Sequence, residues 1–256
     1  MKQLALMAAL ALTGFAAQAQ TSETRKSADF TALEVKNGIE VIVTQSNEPA
    51  LKVESDTQGN LDRVVTEFKN GTLKVYMREA NPKEGSALGR PKVYISAKNL
   101  NSYKAVTGSA ITINGRLSVN ELNVTLETGS SFKGEVESFE KCKIKADSGS
   151  MFRGIVKAND FVAKISGGAS VKISGYAENA TIACNSGSML AGKFICQQTD
   201  VKTYNASTAF VNTMKSINAN ADATSSITYY GEPANVSLGE NAYAIKRDNL
   251  KLALNN

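Results

Sequence analysis

The chain has 256 residues, of which 42% are apolar, with 29 basic and 24 acidic side chains and a formal charge of +5. That is enough apolar material to bury the core of one large domain or two small ones, and too much for a disordered chain. Histidine is absent, which excludes Ser-His-Asp and Cys-His nucleophile pairs, a histidine metal cluster and an imidazole pH switch.

The N-terminus reads as a targeting segment. Lys2 supplies a positive start, Leu4 to Ala16 form an apolar run too short to span a bilayer comfortably, and Ala17-Gln18-Ala19 places small residues at −3 and −1. The pattern predicts residues 1–19 as a signal peptide cut after Ala19. Residue 20 is Gln, not Cys, so a lipoprotein anchor is not expected. Removing Lys2 with the leader would take the charge from +5 to +4 and leave a mature chain of 237 residues. No later run is long enough for a transmembrane helix. The expectation is export, to the periplasm, the outer surface or the medium, with residues 20–28 as a short linker.

Residues 29–100 hold Pro49, Pro82 and Pro91 and read as short strands with turns. Apolar residues alternate in Leu33-Glu34-Val35 and again from Ile39 to Val43, the period-2 mark of half-buried strands, with Asn37-Gly38 between them. Asn70-Gly71 separates Val64–Phe68 from Leu73–Met77 and predicts a hairpin with a tight primed turn. Glu79–Arg90 is polar and reads as a loop, and Val93–Ile95 as a further strand. This region is expected to form the first coils of a larger structure, or its cap.

From residue 92 to 232 there is no proline, and a repeat emerges. Small-residue pairs occur at Gly108-Ser109, Gly129-Ser130, Gly149-Ser150, Gly168-Ala169, Gly187-Ser188, Ala206-Ser207 and Thr224-Ser225, spaced 21, 20, 19, 19, 19 and 18 residues apart. Such a period with strand-like texture is the signature of a solenoid. Three residues before each pair lies the column Ala105, Leu126, Ala146, Ile165, Cys184, Thr203, Ala221. Two residues earlier lies Tyr103, Val124, Ile144, Ala163, Ile182, Val201, Ala219. Three residues after each pair the expected apolar column is Ile111, Phe132, Phe152, Val171, Leu190, Ala209, Ile227. Alternation along the strand combined with stacking at the repeat predicts an all-β fold, a single-stranded parallel β-helix of about 19 residues per coil. It would span residues 29–232, with 233–256 as a C-terminal cap or tail. The pairs are expected to be corners, which need small side chains and left-handed backbone. Gly134, Gly154, Gly175, Gly192 and Gly231 are expected to mark a second bend.

Candidate chemistry is sparse. Cys142 and Cys184 fall in inward columns, Cys196 sits elsewhere in the coil, and no metal-binding spacing is present. Asp147, Asp160, Asp200 and Asp222 occupy different coil positions, unlike the clustered acids of a polysaccharide-cleaving β-helix. No catalytic residue, metal site or cofactor is expected. The most specific surface feature is basic. Lys145, Lys164 and Lys202 share one outward column, with Ala183 in the third coil, and Lys133, Arg153 and Lys172 share a second. Stacked like charges cost energy, so these six residues are the candidate site for an anionic ligand such as an acidic glycan; the competing explanation is a solvated, protective face. Nucleic acid is not expected, because the charge excess is small and export removes the chain from it.

The order of DFTALEVKNGIEVIVTQ, ALKVES, NLDRVVTEFKNGTLKVYM and the GSS/GSM repeats resembles the family described as "putative auto-transporter adhesin, head GIN domain", over roughly residues 29–230. Asn37-Gly38-Ile39 stands where that family carries its namesake Gly-Ile-Asn/Asp-like motif, with Glu40 at the third place. The resemblance implies a right-handed β-helix, export and a Bacteroidetes-type source, and it supplies no catalytic residues. The functional expectation is a non-enzymatic adhesin-like scaffold of the cell envelope or medium, with a glycan or cell-surface polymer as partner. The alternatives are a polysaccharide-active enzyme on the same scaffold and a structural envelope component that self-associates through an exposed coil end.

Overall fold

A computed structural model describes residues 21–79 and 89–239, and the backbone of 244–246. The expected leader, most of the loop at 79–90 and most of the C-terminal segment lie outside the described residues. Among the described residues, seventeen strands form one continuous hydrogen-bonded sheet that winds into a parallel β-solenoid of about seven turns of roughly 19 residues.

The solenoid proper consists of long strands: β9 (Ala110–Leu126), β10 (Ser131–Ala146), β11 (Met151–Ser166), β12 (Ser170–Asn185), β13 (Ser188–Tyr204) and β14 (Thr208–Ala221), followed by the short β15 (Ser226–Tyr230). Each lies parallel on the next. The columns before the corners stack as expected: Leu126 on Ala146, Ile165, Cys184, Thr203 and Ala221, residue upon residue. Their side chains are buried, as are Phe132 and Phe152, whose rings stack at 5.0 Å and 5°. A single coil is too small to bury its own apolar face, so the core exists only between stacked coils. A fully buried side chain of this size contributes about 1.5–3 kcal/mol before chain entropy is counted.

Corners are stacked turns. Thr107-Gly108, Thr128-Gly129, Ser148-Gly149 and Gly167-Gly168 all have positive φ at both residues, the geometry of a primed turn. The left-handed pair therefore starts one residue before the small-residue pair read from the sequence. The second member of that pair has a separate task. Ser130 and Ser150 are 1% exposed, and each hydroxyl accepts from a backbone N–H of its own corner while donating to the coil before it: Ser130 Oγ to Ala105 O at 2.8 Å, Ser150 Oγ to Leu126 O at 3.1 Å. Buried serine thus satisfies backbone groups that the tight turn leaves over.

The N-terminal region supplies coils out of chain order. β2 (Ala32–Lys36), the corner Asn37-Gly38 and β3 (Glu40–Gln45) make one coil. It lies between β6 (Thr72–Met77) with β7 (Lys92–Ala97) on one side and β8 (Ser102–Ala105) with the start of β9 on the other, all parallel. The Asn37-Gly38 corner joins the corner stack through Gly38 N–H to Thr107 O at 3.0 Å. Antiparallel strands close this end: β5 (Val64–Lys69) on β6, β4 (Ala50–Ser55) on β7, and β1 (Thr21–Arg25) on β4. The expected hairpin is present, with positive φ at Asn70 and Gly71. A short helix, α1 (Gln58–Arg63), was not expected from the sequence; Thr57 caps it by accepting from Asn60 N–H at 3.2 Å. At the other end β16 (Asn235–Leu238) pairs with β14 and β17 (Ala244–Lys246) with β15.

Two expectations need correction. In β13 the corner is one residue short: Val171 pairs with Met189, not Leu190. Met189 fills the inward column at 0% exposure, and Leu190 faces out at 36%. The five glycines do not form one bend column. Gly134 pairs with Gly154 and then Ile173, whereas Gly175 pairs with Val156 and Phe194.

Candidate ligand-binding groove

Both basic columns exist in register, and their surroundings differ. Lys145, Lys164, Ala183 and Lys202 pair in sequence. The three lysines stand exposed on the stretch that leads into the corner. Negative charge accompanies this column. Lys104, one strand beyond Thr125, reaches Glu127 at 3.8 Å. Asp147 lies two residues from Lys145, and its carboxyl is held below the ordinary carboxylate range chiefly by a 2.8 Å hydrogen bond from Ser166, with the Lys145 charge a lesser contribution.

Lys133, Arg153 and Lys172 pair in the same way on the stretch after the corner, and the column continues through Leu190 and Phe210. This column forms one wall of a groove of about 760 Å³, running from Thr112 in β9 to Tyr230 in β15. Five strand steps separate Lys133 from Tyr230, about 24 Å at the usual inter-strand distance. The facing wall includes Glu135, Ile155, Ser174 and Lys193, and Gly134, Gly154 and Gly192 lie between the walls.

Two of these glycines are required by close approach. A Cβ on Gly154 would lie 2.2 Å from the Gly134 carbonyl oxygen, and one on Gly134 would lie 2.7 Å from Ile113 Cβ. No side chain fits there, so the floor stays low while the flanking residues project. The short β13 corner extends the wall. By placing Met189 inward it turns Leu190 outward, in line with Lys172 and Phe210.

The electrostatics are one-sided. Lys133, Arg153, Lys172 and Lys193 line the groove with a single carboxylate, Glu135. That carboxylate is engaged by Arg116 at 2.6 Å. Among the described residues no ion pair involves any of the four groove cations. Three cations at strand spacing, with Lys193 across the groove, repel one another, and an anion between the walls would relieve that.

Four grooves among the described residues, this one included, each have a single carboxylate residue in their lining: Glu135, Asp200, Glu79 and Asp29. Acid–base cleavage of a glycosidic bond calls for two. The three cysteines are free and buried, and burial pushes each thiol up to about 12, which leaves them protonated and inert. Among the described residues no three His, Cys, Asp or Glu side chains gather as a metal site, and no helix is long and apolar enough to cross a membrane.

The family model described as "putative auto-transporter adhesin, head GIN domain" matches residues 29–233. The chain belongs to this family. Solved structures share the fold at low identity. A "putative adhesin" from Parabacteroides distasonis ATCC 8503 has TM-score 0.77 and 19% identity, covering 88% of this chain and 97% of that one. A "putative adhesin" from Parabacteroides merdae ATCC 43184 has TM-score 0.76 and 16% identity, covering 90% and 96%. A "putative lipid binding protein" from P. distasonis ATCC 8503 has TM-score 0.75 and 16% identity, again covering 90% and 96%. No curated protein matches the chain.

Proposed function

We propose that this head GIN domain protein is an exported, non-enzymatic, adhesin-like scaffold that captures an anionic ligand in the groove walled by Lys133, Arg153 and Lys172. The observation that carries the reading is the coincidence of unpaired cations with concavity. Those three residues and Lys193 face a groove whose one carboxylate is already engaged by Arg116. A volume of about 760 Å³ is within the range of roughly 300–1,000 Å³ usual for ligand sites. The Lys145, Lys164 and Lys202 column has the charge without the concavity, and in this reading it is a solvated face.

Export rests on the leader-like residues 1–19. The adhesin-like role rests on the family and on the names of its structural neighbours. The ligand class open to this site covers acidic glycans and anionic lipids, the second suggested by the neighbour named as a lipid binding protein.

The test is a binding panel of acidic polysaccharides and anionic-lipid vesicles, probed with the mature chain and two triple reversals. Lys133→Glu/Arg153→Glu/Lys172→Glu should abolish retention, and Lys145→Glu/Lys164→Glu/Lys202→Glu should preserve it. Failure of every anion to bind, or equal loss in both variants, would refute the reading. Self-association through a coil end, the structural alternative, would instead appear as concentration-dependent mass in solution with neither triple reversal affecting it.

A further inference from the structure

The outward column of the groove changes character along its length. In register it reads Lys133, Arg153, Lys172, then Leu190 and Phe210, and Tyr230 lines the far end. Leu190 is 36% exposed, and its outward position follows from the shortened β13 corner. Ile155 on the facing wall is 50% exposed. A polyanion of uniform repeat, such as an acidic glycan, would meet its charge partners over the first three coils and apolar side chains after them. Burying its hydroxyls and carboxylates there without partners would cost free energy.

Resting on the groove reading above, we infer that the ligand is a single-chain anionic amphiphile, bound in one direction. Its phosphate or carboxylate head lies among Lys133, Arg153 and Lys172. Its hydrocarbon tail runs over Leu190 and Phe210 towards Tyr230. Head and tail have different partners in one groove, and this complementarity sets both the class and the orientation. Lys193 lies in β13 with Leu190, one coil past Lys172, so the facing wall carries one cation beside the start of the tail segment. A fully buried methylene strengthens binding about fourfold, so an open groove covering one side of the chain should still give a clear dependence on chain length.

The experiment is calorimetric titration of the mature chain, below micelle-forming concentrations, with dodecyl phosphate, octyl phosphate, inorganic phosphate, dodecyl maltoside and oligogalacturonate. Dodecyl phosphate should bind at least tenfold more tightly than octyl phosphate, and more tightly than each of the others. Arg153→Glu should weaken both alkyl phosphates at least tenfold. Leu190→Ser, in the first apolar coil, should weaken both alkyl phosphates, and Phe210→Ser, one coil further, should weaken dodecyl phosphate more than octyl phosphate and so shrink the difference between them.

If alkyl phosphates bind through Arg153 with no chain-length dependence, or oligogalacturonate binds more tightly than dodecyl phosphate, the amphiphile inference falls and the anion site stands. If no anion responds to Arg153→Glu, both fall. Binding of dodecyl maltoside as tight as that of dodecyl phosphate would reduce the groove to a nonspecific apolar surface and would also overturn the inference.

Discussion

The two basic columns are a natural comparison within one molecule. Each places three cations on consecutive or near-consecutive coils of the same solenoid, and each was equally visible as a periodic pattern. They differ in what lies beside them. Lys145 and Lys164 stand on a regularly alternating sheet with Asp147 at its edge. Lys133 and Arg153 stand beside Gly134 and Gly154, where the absence of side chains makes a floor. Charge periodicity comes with any solenoid that repeats a lysine. Concavity needs a break in the repeat, and here the breaks are the stacked glycines and the shortened corner before Met189.

The largest expected effect separates the supports beneath the two columns. Phe152, next to Arg153 and stacked on Phe132, is fully buried. Phe152→Ala should cost about 3–5 kcal/mol and weaken ligand binding, measured by denaturant unfolding and by titration. Ile165→Val, next to Lys164, should cost only about 0.5–1.5 kcal/mol and leave binding alone. Unchanged binding in Phe152→Ala, or lost binding in Ile165→Val, would mean that the two columns are not separate in function.

A smaller effect tests the floor. Gly154→Ala introduces a Cβ against the Gly134 carbonyl, and the strain should cost about 1–3 kcal/mol. Binding should fall more than stability alone accounts for, because the floor must rise. Wild-type affinity in this variant would show that the glycines do not shape the site.

The smallest expected effect is on pH. In the corner stack the Asp222 carboxylate accepts from Asn205 N–H at 2.8 Å and Thr224 N–H at 3.0 Å. Its pKa is lowered from the ordinary 3.8 to about 2, with the Asn205 backbone hydrogen bond the main cause. A depressed carboxyl pKa stabilises the fold fully above the ordinary value, and that contribution disappears as pH falls through the folded one. Thermal stability should therefore drop between roughly pH 4 and pH 2, and Asp222→Asn should flatten part of that drop. Asp147, lowered chiefly by Ser166, acts in the same direction, so an Asp147→Asn/Asp222→Asn protein should flatten it further. An unchanged acid profile would remove these carboxylates from the account of corner stability. Neither lies in the groove lining, so ligand affinity should not follow the same titration.

Much of the solenoid was legible because two periods coincide. Alternation marks which residues of Leu122–Leu126 or Cys142–Ala146 face inward, and the 19-residue repeat says what stacks on them. The column broke at Met189-Leu190-Ala191, where three apolar residues in a row leave alternation silent. The missing corner residue then shifts the inward position by one. The chain order of the N-terminal coils was illegible for a different reason: β2 and β3 pair with strands far along the chain on both sides, which no local pattern reports. α1 is only six residues long, with too few turns to display a helical period. As for the site, the six basic residues could be read as two columns, and nothing in the periodicity said which one bordered a groove. That depends on Gly134 and Gly154 meeting across coils.

The most direct test of the groove as the binding site is amide chemical-shift mapping of the isotope-labelled mature chain titrated with dodecyl phosphate. The account predicts shifts concentrated at Lys133–Glu135, Arg153–Ile155, Lys172–Ser174, Leu190 and Phe210, with Lys145, Lys164 and Lys202 unmoved. Shifts centred on Lys145, Lys164 and Lys202, or spread evenly over the solenoid, would contradict it.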